Sequence, residues 1–329
     1  MTTTNNRIDQ RTVRSALALA AAAPSVHNSQ PWRWVVGPHT VHLYADLSRW
    51  LPTTDAQGRD LVVSCGAALH HARVALAAVG LASSVHRMPS PDEPKHLATL
   101  QLHPRLADDT DLALAAAILR RRTDRRRYTD WEVPAAFVDD LGERAAAQGA
   151  LLRPVTEARS RQRLIDAIRD AAEVRETNVS YLAERVPWTG RYADVDGIPA
   201  GNLLREAVAS GGGTARRFSD GLVEQPSDEE PDGALLAVLA TGSDDSLSQL
   251  RAGEALSAVL LHATELGLAT CPLSRPLEIA SRRRTVRDDV LDGTAAPQLV
   301  LRVGWAPLGT PLRPTPRRPI DDMIEQLPL

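Results

Sequence analysis

Three stretches of this 329-residue chain are dense in groups that bind rather than react. Arg120 to Tyr128 reads RRRTDRRRY, Arg313 to Arg318 reads RPTPRR, and Pro24 to Trp32 reads PSVHNSQPW. A guanidinium presents a planar fork of N–H donors that matches phosphate or carboxylate oxygens. The two basic runs therefore suit phosphate groups, acidic ligands or nucleic acid. The plainer alternatives are a solvated, charge-rich helix end for the first run and an ordinary surface arm for the second. Prolines around Arg313, Arg317 and Arg318 hold an extended path, which places an arginine better for a fixed anion than a loose tail would. The third stretch sets neutral donors and acceptors (Ser25, His27, Asn28, Ser29, Gln30) between Pro24 and Pro31. Such groups make a turn, or they meet a ligand rich in hydroxyls and carbonyls.

Reactive constellations are scarce. There is no GxSxG elbow and no HExxH pair, and no paired-carboxylate pattern emerges from the scattered acidic residues. His70 and His71 are adjacent on an apolar, helical stretch and cannot both face one metal; they and His262 read as hydrogen-bonded core or interface histidines. Cys65 and Cys271 lie far apart with no metal-ligand spacing, which disfavours a disulfide framework or a zinc site. Lys95 is the only lysine and sits in the loop-like SPDEPKH, so Schiff-base chemistry is disfavoured. Arginine clusters and a neutral polar loop, without an evident acid, base or nucleophile, fit a bound cofactor that brings its own reactivity. A net charge of −3 gives no global pull toward nucleic acid or an anionic membrane. Without a signal pattern or an apolar run of bilayer-spanning length, the expected location is the cytoplasm.

The elements that must position these groups follow from periodicity and punctuation. Residues 12–22 read as a helix ended by Pro24, and WRWVV and VHLYA as strands around Gly37-Pro38. Residues 61–80 are small and aliphatic nearly all round, as in a deeply buried helix closing on Gly80. ASSVHRM and LATLQLH read as strands, DLALAAAILRRR as a helix running into the first arginine cluster, and PQLVLRVGW as a buried strand. A run beginning at Gly66 matches one beginning at Gly253. The shared positions are Gly80/Gly267, Ala68/Ala255, Leu69/Leu256, Leu81/Leu268 and Ala82/Ala269. Either both converge on buried-helix composition or the chain is an internal duplication, the reading preferred here. Residues 176–232 are polar and rich in Gly and Pro, with isolated aromatics Tyr181, Trp188, Tyr192 and Phe218. So long an irregular segment is a disordered insertion or a functional lid, and the aromatics favour the lid, with Gly211–Gly213 as its hinge.

The motifs resemble those of the flavin-dependent nitroreductases. APSVHNSQPW is similar to that family's PSxxNxQPW element and RRTDRRRY to its RRSxRxF element. ATELGLATCPLSRPLE resembles its segment beside the flavin, and GWAPLGTPLRPTPRRPIDD its strand and basic tail. With DGIPAGNL, the pattern resembles the Acg-like branch, the dormancy-associated FMN-binding proteins of mycobacteria. The resemblance implies an α+β, nitroreductase-like fold, and in this family a homodimer with FMN at the subunit interface. The PSVHNSQPW element occurs only in the first half and the arginine element is well formed only in the second. The expected architecture is therefore a fused pseudo-dimer with one FMN between its halves and no need to dimerise further. The first half would be 1–115; the second, 116–329, would carry the arginine motif, the basic tail and the lid at 176–232.

Position by position, the resemblance implies Arg121 on the FMN phosphate, Thr123 at the family serine and Arg125 near the flavin pyrimidine edge. It implies Arg317 as a further phosphate contact, backed by Arg318 or Arg313. Ser25, Asn28 and Gln30 would meet the ribityl chain or ring edge, within a loop that also includes Pro24, His27, Ser29 and Pro31. Cys271, Pro272, Leu273 and Ser274 would lie along the ring, and Trp188 and Tyr192 would fold over it. His27 departs from the small residue of many relatives, and Tyr128 is one residue further from Arg125 than the pattern has it. The implied activity is transfer of a hydride from NAD(P)H through FMN to a nitro or quinone-like acceptor. The alternative is an FMN store whose lid denies nicotinamide access; nucleic-acid binding is disfavoured.

Overall fold

In the computed structural model, residues 8–190, 195–205, 217–218, 221–224 and 232–327 are described, the side chains of 217–218 excepted. Tyr192 and the triple glycine lie outside them, as does the side chain of Phe218.

Helix α1 (Gln10–Ala20) begins where the Asp9 carboxylate accepts from the backbone N–H of Arg11 and Thr12. It buries Val13, Ala16, Leu17 and Ala20, the spacing of one helical face. A hairpin of β1 (Trp32–Val36) and β2 (Thr40–Ala45) leads to α2 (Arg59–Ala78), then β3 (Leu81–Arg87), β4 (His96–Pro104) and α3 (Asp109–Arg120). Next come α4 (Ala135–Ala146), β5 (Leu151–Pro154), α5 (Ala158–Glu176), α6 (Val179–Arg185) and the paired short strands β6 (Leu204–Arg205) and β7 (Arg217–Phe218). The chain finishes with β8 (Leu235–Thr241), α7 (Ser246–Glu265), β9 (Ala269–Leu273), α8 (Ala280–Asp289), β10 (Ala296–Gly304) and β11 (Ile324–Gln326). The fold is α+β, with two largely antiparallel sheets.

One sheet runs β11-β1-β2-β4-β3 and the other β5-β8-β10-β9. Each contains the same unit, in which a strand, a long helix and two further strands leave the last strand in the middle. In the first sheet these are β2, α2, β3 and β4; in the second, β8, α7, β9 and β10, with α8 inserted. The flanking antiparallel strands β1 and β5 also correspond. The basic tail is not a free arm. It crosses back to the first sheet, where β11 pairs parallel with β1.

The long helices α2 and α7 pack on each other through the two glycines that open the repeated runs. A Cβ on Gly66 would stand 2.1 Å from the Leu250 carbonyl oxygen, and one on Gly253 2.0 Å from that of Val63. Each obstructing carbonyl lies three residues before the opposite glycine, so the contact is reciprocal. The second pair, Gly80 and Gly267, ends the two helices at φ 82° and 80°, a left-handed conformation that β-carbon sterics discourage elsewhere. His70 and His71 both bond the Ser257 hydroxyl, each through Nδ1 at 2.7 Å. Burial holds both rings neutral, His70 being pushed down to about 3. They are core histidines, and among the described residues no cluster of metal-ligating side chains occurs.

By length and composition α2 could cross a membrane, contrary to the reading that no run is long enough, yet 78% of its most apolar window is buried within the protein. Position 115/116, taken as the division between halves, lies inside α3, which runs unbroken.

Candidate functional site

Two adjoining hollows lie where the segments singled out above converge. Pro24, Ser25, Thr123, Arg125 and Ile198 face both. The first hollow is further walled by Val26 and His27, by Pro272–Ser274 at the end of β9, and by Asp60, Ser64 and Glu278. The second is walled by Asn28, Arg121, Arg122 and Asn202, and by the tail residues Arg313, Thr315 and Arg317.

The PSVHNSQPW loop reaches this place in a strained shape. His27, Asn28 and Gln30 all have positive φ, at 48°, 55° and 51°. Non-glycine residues seldom adopt this region and each pays of order 1–3 kcal/mol to stay there. The loop is held by a ring of bonds. Ser25 Oγ accepts from the Gln30 N–H at 2.9 Å, and Ser64 Oγ accepts from the Val26 N–H at 3.2 Å. Its shape also turns Asn28 outward, where Nδ2 donates to the carbonyls of Gly197 at 2.8 Å and Pro316 at 3.0 Å.

The second hollow is cationic. Arg121 is buried, and its Nε and Nη1 have no hydrogen-bond partner; Arg317 Nε has none either. Burial, with the neighbouring Arg122 charge adding to it, pushes Arg121 down to about 10. Burial and then Arg121 and Arg122 push Arg317 down to about 9. Both guanidinia touch one carbonyl, that of Ala22, at 3.5 and 2.9 Å. Unpaired, desolvated like charges are costly, so this is a place built for an anion. Thr123 is fixed by an isolated parallel bridge to Thr270, which ties the arginine segment to the edge of β9. Tyr128, the motif's aromatic, packs against Gly304 and donates to the Asp124 carbonyl at 2.9 Å.

No family model matches the chain. A Mycobacterium tuberculosis H37Rv protein carrying the provisional name NAD(P)H nitroreductase Rv3131 is 47% identical over 320 residues, spanning 96% of this chain and 92% of its own length. The chain belongs to the Acg-like nitroreductase family. The same organism's provisionally named NAD(P)H nitroreductase acg is 38% identical over 95% of each chain, and its uncharacterized protein Rv3127 is 36% identical over 95% of this chain and 92% of its own. Among solved structures, a Bacteroides fragilis nitroreductase with bound FMN has a TM-score of 0.40 at 14% identity, covering 62% of this chain and 94% of its own. A Desulfitobacterium hafniense nitroreductase with bound FMN has a TM-score of 0.40 at 15%, covering 66% and 98%. These structural likenesses are too slight to bear on the site.

In this Acg-like nitroreductase the expected site residues divide. Pro24, Ser25, His27, Asn28, Arg121, Thr123, Arg125, Pro272, Leu273, Ser274, Arg313 and Arg317 come together around the hollows. Ser29, Gln30, Pro31, Cys271, Arg318 and Trp188 do not. Gln30 is fully buried and donates to the carbonyls of Val195 and Asn28, while its Oε1 accepts from the Arg318 N–H at 2.9 Å. Arg318 turns to the Gln30 and Asp322 carbonyls and to Asp46, away from the hollow. Ser29 and Pro31 are buried behind the loop, their carbonyls accepting from Arg49 Nε and from Cys65 and Asp46. Cys271 points into the sheet, where burial raises its thiol above the ordinary range. Trp188 lies beneath the Arg49 guanidinium, 5.3 Å from ring centre to Cζ.

Among the wall residues that sequence reasoning missed are Ile198 and Asn202 inside the irregular segment, and the acids Asp60 and Glu278. DGIPAGNL was a usable signal for the first two. The acids had only their neighbours, the start of the buried helix and the end of the flavin-like segment.

Proposed function

We propose that this protein is an FMN-dependent NAD(P)H oxidoreductase with one FMN between the two halves of the chain. The observation that carries the reading is the pair of buried, partly unpartnered guanidinia, Arg121 and Arg317, at one end of a hollow that opens into a second chamber. A ligand with a phosphate at one end and a flat, carbonyl-bearing ring at the other matches that arrangement. Arg121 and Arg317 would hold the phosphate, with Arg313 at the rim. Asn28, Ser25 and Thr123 would meet the ribityl chain. Arg125 would stand near the pyrimidine, and His27 with Pro272, Leu273 and Ser274 would line the ring. When bound, FMN supplies hydride acceptance and donation, from NAD(P)H and to a nitro or quinone-like acceptor. A cation beside the pyrimidine would favour the anionic reduced flavin and so raise the potential of the couple.

The chain is a duplicated, fused pseudo-dimer that works as a monomer, its second half opening at α3 rather than within it. Support comes from the matching strand–helix–strand–strand units, the reciprocal Gly66–Gly253 contact and the two left-handed helix-stop glycines.

A second reading, FMN holding with little turnover, has its own observation. Residues 184–190 and 195–202 carry bonds to the loop and its neighbours. Asn28 and Gln30 donate to Gly197 and Val195, Glu184 accepts from the N–H groups of Thr53 and Thr54, and Asn202 Nδ2 donates to the Arg313 carbonyl at 2.6 Å. In this reading the segment is a lid. The deciding experiment is the visible spectrum of the purified protein, followed by NADPH and NADH without oxygen. A flavin band that bleaches supports the reductase. One that persists with nicotinamide but bleaches with dithionite supports the store. No flavin taken up, even when FMN is offered, overturns both.

A further inference from the structure

A wall of acidic residues separates the ring-side hollow from a neighbouring groove. Glu278 faces both spaces. Asp60 faces the hollow, and Asp55 faces the groove, which also holds the exposed Arg284 and Arg287. The three acids occupy the turn before α2, its first turn, and the turn after β9.

Their bonding is incomplete. Glu278 Oε1 accepts from the Ser274 hydroxyl at 2.9 Å, while Oε2 is buried without a hydrogen bond. Asp60 Oδ1 takes two N–H groups of Arg59, at 3.0 and 2.8 Å, and Oδ2 is likewise buried and unpartnered. Asp55 Oδ2 accepts from the Leu61 N–H at 2.9 Å. Two buried guanidinia stand among them. Arg59 is on Asp60, and Arg175 has Nε 3.4 Å from Glu278 Oε2 with its other N–H groups on the carbonyls of Thr53 and Thr54. Three carboxyl groups against two such cations leave one negative charge in excess, which a single bound proton cancels. The remaining charges facing the wall are further out: Arg275, whose nearest acid is Glu176 at 3.9 Å, the paired Arg283 and Asp244 in the groove, and on the hollow side Arg125, the exposed Arg169 and the His27 ring. Burial and the neighbouring Asp60 push Glu278 up to about 7, and burial and Asp60 push Asp55 up to about 6.

We propose that Glu278, with Asp60 and Asp55 behind it, passes protons through this wall from the open groove to the acceptor being reduced in the hollow. The inference rests on the flavin reading above. A quinone reduced to a hydroquinone takes up two electrons and two protons. A hydride from the reduced flavin brings both electrons and one proton to the quinone. The O–H bond of the Glu278 carboxyl breaks and a new O–H bond forms on the second quinone oxygen, while the flavin is oxidised by two electrons. The Glu278 carboxylate then recovers its proton from the groove that it faces.

The test uses Glu278→Gln, Glu278→Asp and the wild type, with and without flavin. In the flavin-free protein, infrared titration should show a protonated-carboxyl band lost as pH rises through about 7 in the wild type and missing from Glu278→Gln. Identical titrations in the two proteins overturn the proposal. In the flavin-loaded protein, anaerobic bleaching by NADPH is timed in both, so that a change in the reductive step is read apart from reoxidation. Return of the flavin colour on adding 1,4-benzoquinone should be about tenfold slower in Glu278→Gln, the scale of a general-acid contribution or somewhat below it. The wild-type rate should fall as pH rises through that range, the Gln variant should lose this dependence, and Asp should restore it. Equal reoxidation rates and pH profiles sink the proton path while leaving the flavin reading intact. Failure to take up flavin sinks the flavin reading, and the proton path with it.

Discussion

The two ends of the ligand hollow leave opposite needs unmet. At one end Arg121 and Arg317 present buried N–H donors with nothing to accept them; at the other Asp60 and Glu278 present buried oxygens with nothing donated to them. Burial disfavours charge at both ends, raising Glu278 and lowering Arg121 and Arg317, but the remedies differ. A guanidinium holds its proton at any physiological pH, so the arginine end is relieved only when an anion arrives. A carboxyl can be relieved by a proton, so the acid wall settles itself. The difference teaches where ligand dependence should appear in this protein, and where pH dependence should.

The sharpest way to break the comparison is to remove the cations. Arg121→Ala with Arg317→Ala should weaken FMN binding at least ~100-fold, about 3 kcal/mol for two charge-assisted contacts, read by quenching of flavin fluorescence. The single Arg121→Ala variant should melt higher than wild type without flavin and lower with it. Melting temperatures that fall in both states would mean that Arg121 holds the fold rather than a ligand.

The acid wall makes a prediction about stability. Glu278 and Asp55 have folded-state values raised above their unfolded ones. The folded protein therefore binds more protons, and stability declines as pH rises from the ordinary carboxyl range through about 7. Urea unfolding of the flavin-free protein should show a loss on the order of 1–3 kcal/mol across that window, flattened in Glu278→Gln. A flat wild-type profile would place the wall's excess charge elsewhere.

Smaller effects test the edges of the hollow. Asn28→Ala removes donors to Gly197 and Pro316, and at about 1–2 kcal/mol should speed FMN release roughly tenfold, measured by capture of released flavin. An unchanged release rate would argue against a lid. Arg318→Ala, whose partners are Gln30, Asp322 and Asp46, should change FMN affinity by no more than about twofold and stability by about 1 kcal/mol.

Much of this was readable in the chain itself, and the reasons for the remainder are physical. The spacing of small and aliphatic residues located α2 and α7, and punctuation by Pro24, Gly80 and Gly267 marked where helices stop. The motif residues that meet at the hollow, from Ser25 to Arg317, are polar groups on turns beside buried strands, and their order along the chain carried that signal. What a linear reading could not separate is a polar group that faces a ligand from one that closes a loop. Gln30 and Arg318 look as suited to FMN as Asn28 and Arg317, yet they bond each other on the far side of a loop bent by the left-handed His27, Asn28 and Gln30. The tail's return to β1 rests on three residues of strand, too few for periodicity to register. Asp60 and Glu278 are 218 positions apart, and only the folded chain brings them to one wall.

The backbone contact at Gly66 and Gly253 has a mechanical consequence. Helices that touch atom to atom through missing side chains cannot slide or roll over one another without collision, so the seam acts as a fixed hinge pin with no play. Asp60 and Ser64 ride on one of these helices, and Leu256 on the other, as parts of the same wall. The spacing between those walls is thus set like the jaws of a locked calliper. In the lid reading proposed above, opening for a cofactor falls to the strap that includes Ile198 and Asn202, and the exchange rate should follow the bonds of that strap.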